Sequence, residues 1–302
     1  MLVKLVQTLF LALLQGVTEL FPISSLGHTI ILPALIGQLS ADWRNLGTND
    51  AFLPLVVALH LGTSVALIIY FWRDWFQVGK TLVSTVKQGG KVNRGTDEWV
   101  SWLIIVGTVP AGLLGLLFEK QIKHLFNDPK SGPLFVATFL VINGSVLFLG
   151  EALRRRSEAQ FHSMSPKERE LHFRPLKSLS WKEAVVVGMA QSLALIPGFS
   201  RSGLTMVGGL SVRLTHEDAA RYSFLLGTPI ILAASVIEVP KLLHSNFPLW
   251  MIFVGMVVSG VAAFLSTKFL MKYFETGRLD PFAYYCWGAG LMSIVIFLVH
   301  GS

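Results

Sequence analysis

The chain has 302 residues, of which 52% are hydrophobic and only 14% charged, with a mean hydropathy of +0.59. A soluble domain carries about 25% charged residues, so composition excludes an ordinary water-soluble globule and points to an integral membrane protein whose solvent is the bilayer. The net charge of +7 does not mark a nucleic-acid binder, because the basic residues cluster between apolar segments and no basic helix with interleaved aromatics occurs; the single cysteine, Cys286, excludes an internal disulfide framework.

In chain order, the first apolar segment, 1–14, is too short to cross a membrane. At about 1.5 Å per residue it reaches about 21 Å into a hydrocarbon core about 30 Å thick. Lys4 ahead of an apolar run also resembles a secretory leader, but no small-residue cleavage site follows Leu14. The segment leads into a polar loop, Gln15 to Thr29, containing Pro22, and then into a second short apolar arm at 30–37. Three runs long enough to span follow at roughly 51–72, 99–118 and 134–153. Beyond a basic stretch the pattern restarts: a short apolar segment at 183–196, a polar loop through Pro197 to Thr205, a short arm at 206–212, and three spans at 219–238, 248–271 and 282–299.

The economical reading is an all-α integral membrane protein in two halves, 1–153 and 183–302, joined by a basic linker, 154–182. Each half holds one re-entrant helical hairpin and three transmembrane helices. The alternative is ordinary spanning helices kinked at Pro22 and Pro197. Because three is odd, the second half enters the membrane inverted, and an inverted repeat places its functional site near the midplane where the halves meet. Of the 25 Lys and Arg residues, eighteen fall on the side of loops 73–98 and 154–182, six on the other, and Arg201 inside. The positive-inside rule then puts the linker in the cytoplasm and both termini outside. Arg154-Arg155-Arg156 reads as a flank that stops a span, and Thr215 as the cap of the helix that follows.

The two polar loops match. Gln15, Ser24, Gly27 and Thr29 recur 176 residues later as Gln191, Ser200, Gly203 and Thr205. Each unpaired polar group in hydrocarbon is costly, so these loops are where function is expected. Ser200-Arg201-Ser202-Gly203 sits at the start of a short helix, where free N–H groups and the helix dipole favour an anion. Arg201 adds a planar fork suited to phosphate oxygens; the alternative is a serine-capped break with Arg201 paired to a carboxylate. The first loop offers reactive groups: Ser24 and Ser25 as nucleophiles, His28 as a proton carrier, and Glu19 to orient His28, act as base, or hold a divalent cation. His60, mid-span, reads as a packing or supporting group.

With these residues in view, the chain resembles the undecaprenyl-diphosphate phosphatases of the bacitracin-resistance family. The stretches that carry the likeness are Gln15-Gly-Val-Thr-Glu19-Leu-Phe-Pro-Ile-Ser-Ser25-Leu-Gly-His28 and Pro197-Gly-Phe-Ser-Arg201-Ser-Gly-Leu-Thr205, supported by 57–74 and 219–229, so that both halves are covered. The resemblance implies removal of the terminal phosphate from a C55 isoprenyl diphosphate, an intermediate of cell-wall lipid recycling, with a divalent cation (Mg or Ca) in support. Ser25 would be the nucleophile or a close phosphate ligand, His28 the acid/base and Arg201 the clamp. Glu19 would assist His28 or hold the metal, and Gln15, Ser24, Thr29, Ser200, Ser202, Gly203 and Thr205 would line the pocket. The family motif begins with Glu or Gln four residues before a Glu; here Gln15 takes that position and leaves Glu19 as the lone acid. The expected partners are the lipid substrate and the bilayer, with a homodimer as the assembly to test. The rival reading is a polyprenyl-phosphate transporter or flippase, since inverted repeats with broken helices are common there.

Overall fold

The computed structural model describes residues 1–40, 43, 52–87, 92–126, 131–160, 173–243 and 247–300. These form eleven principal helices: α1 (Leu2–Thr18), α2 (Ser25–Leu39), α3 (Phe52–Tyr70), α4 (Trp72–Lys87), α5 (Asp97–Phe126), α6 (Gly132–Gln160), α7 (Trp181–Ser192), α8 (Arg201–Ser211), α9 (His216–Leu243), α10 (Leu249–Tyr273) and α11 (Asp280–His300). No strand forms among the described residues, and a single bridge joins Arg174 to Leu214. Five helical stretches are long and apolar enough to cross a membrane: Asp97–Phe118, Gly132–Ser157, His216–Ile237, Leu249–Tyr273 and Asp280–Val299. Their outward faces carry large apolar side chains such as Leu116, Phe253, Leu265 and Leu298, each more than half exposed. Such faces are stable against lipid rather than water, and the chain is a multi-pass membrane protein.

The span expected at 51–72 differs in form. Its helix, α3, ends at Tyr70 and bends by 83° into α4, so this pair makes a sixth crossing only if taken as one broken span. The stretch 73–98, expected as a loop, holds a 16-residue amphipathic helix, because Trp72, Trp75, Phe76, Val78 and Leu82 alternate with Arg73, Asp74 and Lys80 at helical spacing. Arg44, Lys91, Lys130, Lys167 and Arg169, counted in the charge tally, lie outside the described residues.

Helix packing follows a reciprocal scheme. Helix α1 lies on α10, and α7 on α5; α3 pairs with α9, and α6 with α11. The close approaches rest on glycine: a methyl on Gly16 would meet the Ser259 carbonyl of α10, and one on Gly188 would meet the Gly107 carbonyl of α5. Helix α7 starts at a capping box, with Ser180 N donating to Glu183 Oε2 at 2.7 Å and Glu183 N to Ser180 Oγ at 3.4 Å. Thr215 caps α9 as expected, accepting from Asp218 N at 3.1 Å. The arginine run does more than flank a span, since Arg154 donates to the Leu214 carbonyl and Arg155 pairs with Asp280 at 2.7 Å.

Candidate active site

The polar loops are narrower than their sequences suggest. Ser25 to Thr29 already form the first turn of α2, and Arg201 to Thr205 the first turn of α8, so the breaks are 19–24 and 193–200. Both helices start the same way. Ser24 Oγ accepts from Gly27 N at 3.1 Å, and Ser200 Oγ accepts from Gly203 N at 3.1 Å. Each serine satisfies one of the free donors at a helix start. Ser24 holds φ at 69°, a region that costs a non-glycine residue about 1–3 kcal/mol. Gly198, at φ 101°, turns the second break against α6, where a side chain would collide with the Val136 carbonyl.

The residues that follow the caps, Ser25 and Arg201, both reach Glu19. Ser25 Oγ donates to Glu19 Oε2 at 2.5 Å, and Arg201 Nη2 to Oε1 at 2.8 Å. Gln15 Nε2 also donates to Oε2 at 2.9 Å, and His60 Nε2 stands 3.3 Å from it. Two helix N-termini therefore converge on one carboxylate. Beside it opens a cavity of about 280 Å³, lined by Glu19, Ser25, His60, Gln191, Ser200 and Arg201 on its polar side. Apolar residues of α3 and α9, among them Val56, Ile230 and Ile231, make the other wall. Arg201 Nη1 donates to the Ser223 carbonyl at 3.3 Å, so of five guanidinium N–H groups several remain for a ligand. The guanidinium crosses α9 at Gly227, where a methyl would overlap it.

Of the residues expected in the site, Glu19, Ser25, Ser200 and Arg201 line this cavity. The others support it. Ser202 Oγ donates to the Phe21 carbonyl at 3.1 Å, and Thr205 Oγ1 to the Arg201 carbonyl at 2.6 Å. Thr29 Oγ1 turns back to the Leu26 carbonyl at 3.1 Å. Gly203 packs between Leu147 and Pro22. His28 faces away from the cavity, with Nδ1 at 2.7 Å from the Ser24 carbonyl and Nε2 at 2.8 Å from the Tyr285 hydroxyl, the two rings stacked with centroids 5.6 Å apart. Ser200 as cap and Arg201 paired to Glu19 also fit a purely structural break. What exceeds that reading is the cavity and the amide of Gln191 in its wall, both of whose polar atoms are buried without a protein partner, a state that calls for a ligand or water.

Several contributors escaped sequence reasoning. Asn143, buried in α6, donates Nδ2 to the Pro22 carbonyl at 3.1 Å and accepts from Ser200 N at 2.9 Å, tying the two breaks together. A lone amide in mid-span was the available signal. Gln191 was visible as the counterpart of Gln15, but position 195 is leucine where Gln15 finds Glu19. Tyr285 and Gly227 lie outside any motif and had no signal.

A resident divalent cation does not fit these residues as they stand. The cavity offers one carboxylate, both of whose oxygens already accept protein donors, and among the described residues no group of three or more His, Cys, Asp or Glu is placed to hold a metal ion. A hard cation takes several oxygen ligands.

The sequence profile of the family "Bacitracin resistance protein BacA" matches residues 8–292. Among similar proteins, undecaprenyl-diphosphatase 2 of Burkholderia thailandensis is 46% identical over 295 residues, covering 97% of both chains. Undecaprenyl-diphosphatase 1 of Burkholderia pseudomallei is 45% identical over 295 residues with the same coverage. The undecaprenyl-diphosphatase of Mycolicibacterium paratuberculosis is 41% identical over 307 residues, covering 96% of each. A profile matched over nearly the whole chain, and relatives aligned end to end through both breaks, place this chain in the bacitracin resistance protein BacA family.

Proposed function

We propose that this protein hydrolyses undecaprenyl diphosphate to undecaprenyl phosphate and inorganic phosphate, recycling a cell-wall lipid carrier and so conferring the bacitracin resistance in the family name. The observation that carries this reading is the joint approach of Ser25 and Arg201 to Glu19 on one cavity wall, at 2.5 and 2.8 Å. A hydroxyl already donating to a carboxylate is a nucleophile with its base in place. Ser25 Oγ attacks the terminal phosphorus while its proton passes to Glu19 Oε2; the bond to the bridging oxygen breaks, and the lipid monophosphate leaves with its new charge met by Arg201. Water then hydrolyses the phosphoserine, and Glu19 returns the proton to Ser25.

His28 enters this scheme through Ser24, whose carbonyl it holds. As the acid/base named by the family motif it would first have to turn away from Tyr285. A phosphoenzyme on His28 would replace the serine route, and quenched, labelled reactions separate the two. The divalent cation is assigned to the diphosphate itself, as a counter-ion that arrives with it; a chelator that abolishes turnover without altering the resting protein's melting temperature supports that assignment.

The reciprocal packing of α1 on α10 and α7 on α5, and the matched caps at Ser24 and Ser200, support an inverted repeat with α1–α2 and α7–α8 as re-entrant hairpins. The eighteen-to-six split of basic residues supports a cytoplasmic 154–182 and termini outside, in a bacterial plasma membrane. The same architecture suits a transporter, so the deciding experiment is phosphate release by purified protein in detergent, where transport cannot be scored. Release from a C55 diphosphate supports the hydrolase; its absence in folded protein overturns it.

A further inference from the structure

We infer that His60 is a substrate ligand of this site: its imidazolium is the second cation, beside Arg201, that meets the diphosphate. The inference rests on the hydrolase reading and deepens it. His60 lines the cavity, and both of its ring nitrogens face acceptors. Nδ1 is 2.7 Å from the Val56 carbonyl of its own helix, and Nε2 is 3.3 Å from Glu19 Oε2. A carbonyl oxygen cannot donate, so Nδ1 carries a proton; Nε2, turned toward an ionised Glu19, is placed to carry the second, and a ring with two N–H groups is an imidazolium. His28 is bonded the other way. Its Nδ1 donates to the Ser24 carbonyl, and the Tyr285 hydroxyl, unlike a carboxylate, can donate to Nε2, so a neutral ring is satisfied there. Of the two imidazoles near the nucleophile, the one in the cavity is the one placed to carry a charge.

That charge changes what the cavity can hold. Among the described residues its ionisable lining is Glu19, His60 and Arg201. The wall that α9 contributes to this cavity is apolar, with Ile230, Ile231 and Ala234. With His60 neutral, Arg201 and Glu19 cancel, and a polyanion enters an uncharged, partly apolar pocket. With His60 protonated the lining carries one net positive charge, and Glu19, held by His60, can release Arg201 to a phosphate. In a site of low polarity such a difference is far larger than in water.

The test is the pH profile of kcat/KM for phosphate release by full-length protein in detergent, using a C55 or shorter isoprenyl diphosphate. The wild type should lose about tenfold per pH unit on the alkaline side. His60→Gln, which keeps a donor toward Glu19 but no charge, should be slower by about tenfold or more at pH 7 and lack that limb. His60→Lys should recover most activity and move the limb upward by more than one pH unit. Ionisation of the substrate is common to all three, so the differences report on residue 60. An alkaline limb unchanged in folded His60→Gln overturns the inference; should that variant not fold, a limb unmoved in His60→Lys does the same. Failure of the hydrolase reading looks different: no phosphate release from the wild type at any pH.

Discussion

The two broken helices of this protein use one backbone device for two chemical ends. At the first break Ser24 caps α2 through Gly27, and at the second Ser200 caps α8 through Gly203, both at 3.1 Å. The next residue is a hydroxyl in one and a guanidinium in the other, and both bond to Glu19. The two breaks share a geometry and differ in the group delivered. A cap that fixes where the first helical side chain points serves equally to place a nucleophile or a clamp.

If the division of labour holds, the largest effect belongs to the nucleophile. Ser25→Ala should lower turnover on the order of 10³-fold or more, and Glu19→Gln combined with it should cost little beyond the single change, because groups acting as a unit are non-additive. Steady-state phosphate release on the two single variants and the double variant measures this, and comparable activity in Ser25→Ala would break the comparison. Arg201→Lys keeps the charge and loses the fork, so a drop of about tenfold or more is expected, with more of it in kcat than in KM. Gly227→Ala tests the same clamp from its neighbour: a methyl overlapping the guanidinium should displace it, lower kcat/KM severalfold and reduce stability by about 1–3 kcal/mol, read as a fall in melting temperature. Smallest is Gln191→Leu. Its amide has no protein partner, so apolar replacement should leave the fold intact or firmer while raising KM by a few fold.

Much of this was legible in the sequence because hydrocarbon leaves few choices. Long apolar runs had to be helices, and the polar residues that interrupt them had to be paired or functional. Glu19, Ser25 and Arg201 were therefore visible before any coordinates. What stayed hidden depends on azimuth, which spacing alone does not report. His28, three residues from Ser25, looked like its partner, yet its ring is bonded to the Ser24 carbonyl and the Tyr285 hydroxyl instead. His60, 41 residues beyond Glu19 in the chain, turns out to be its neighbour. The bend at Phe71 was equally hidden, since no proline or glycine marks it, and the basic residues of 73–98 read as a loop although the apolar residues among them recur at helical spacing in α4.

The convergence of two helix starts on Glu19 has a consequence for the catalytic cycle. The resting site already contains an anion, supplied by the protein itself. In the proposed mechanism substrate entry is therefore a ligand exchange rather than the filling of a void: the diphosphate would compete with Glu19 for Arg201, and its apparent affinity would be discounted by the ion pair it displaces. The same exchange runs in reverse after hydrolysis. Inorganic phosphate is a strong ligand for an arginine at a helix N-terminus, and a carboxylate tethered 2.8 Å away reclaims the guanidinium at no translational cost. In that scheme Glu19 is a built-in competitor that would weaken product inhibition and hasten release.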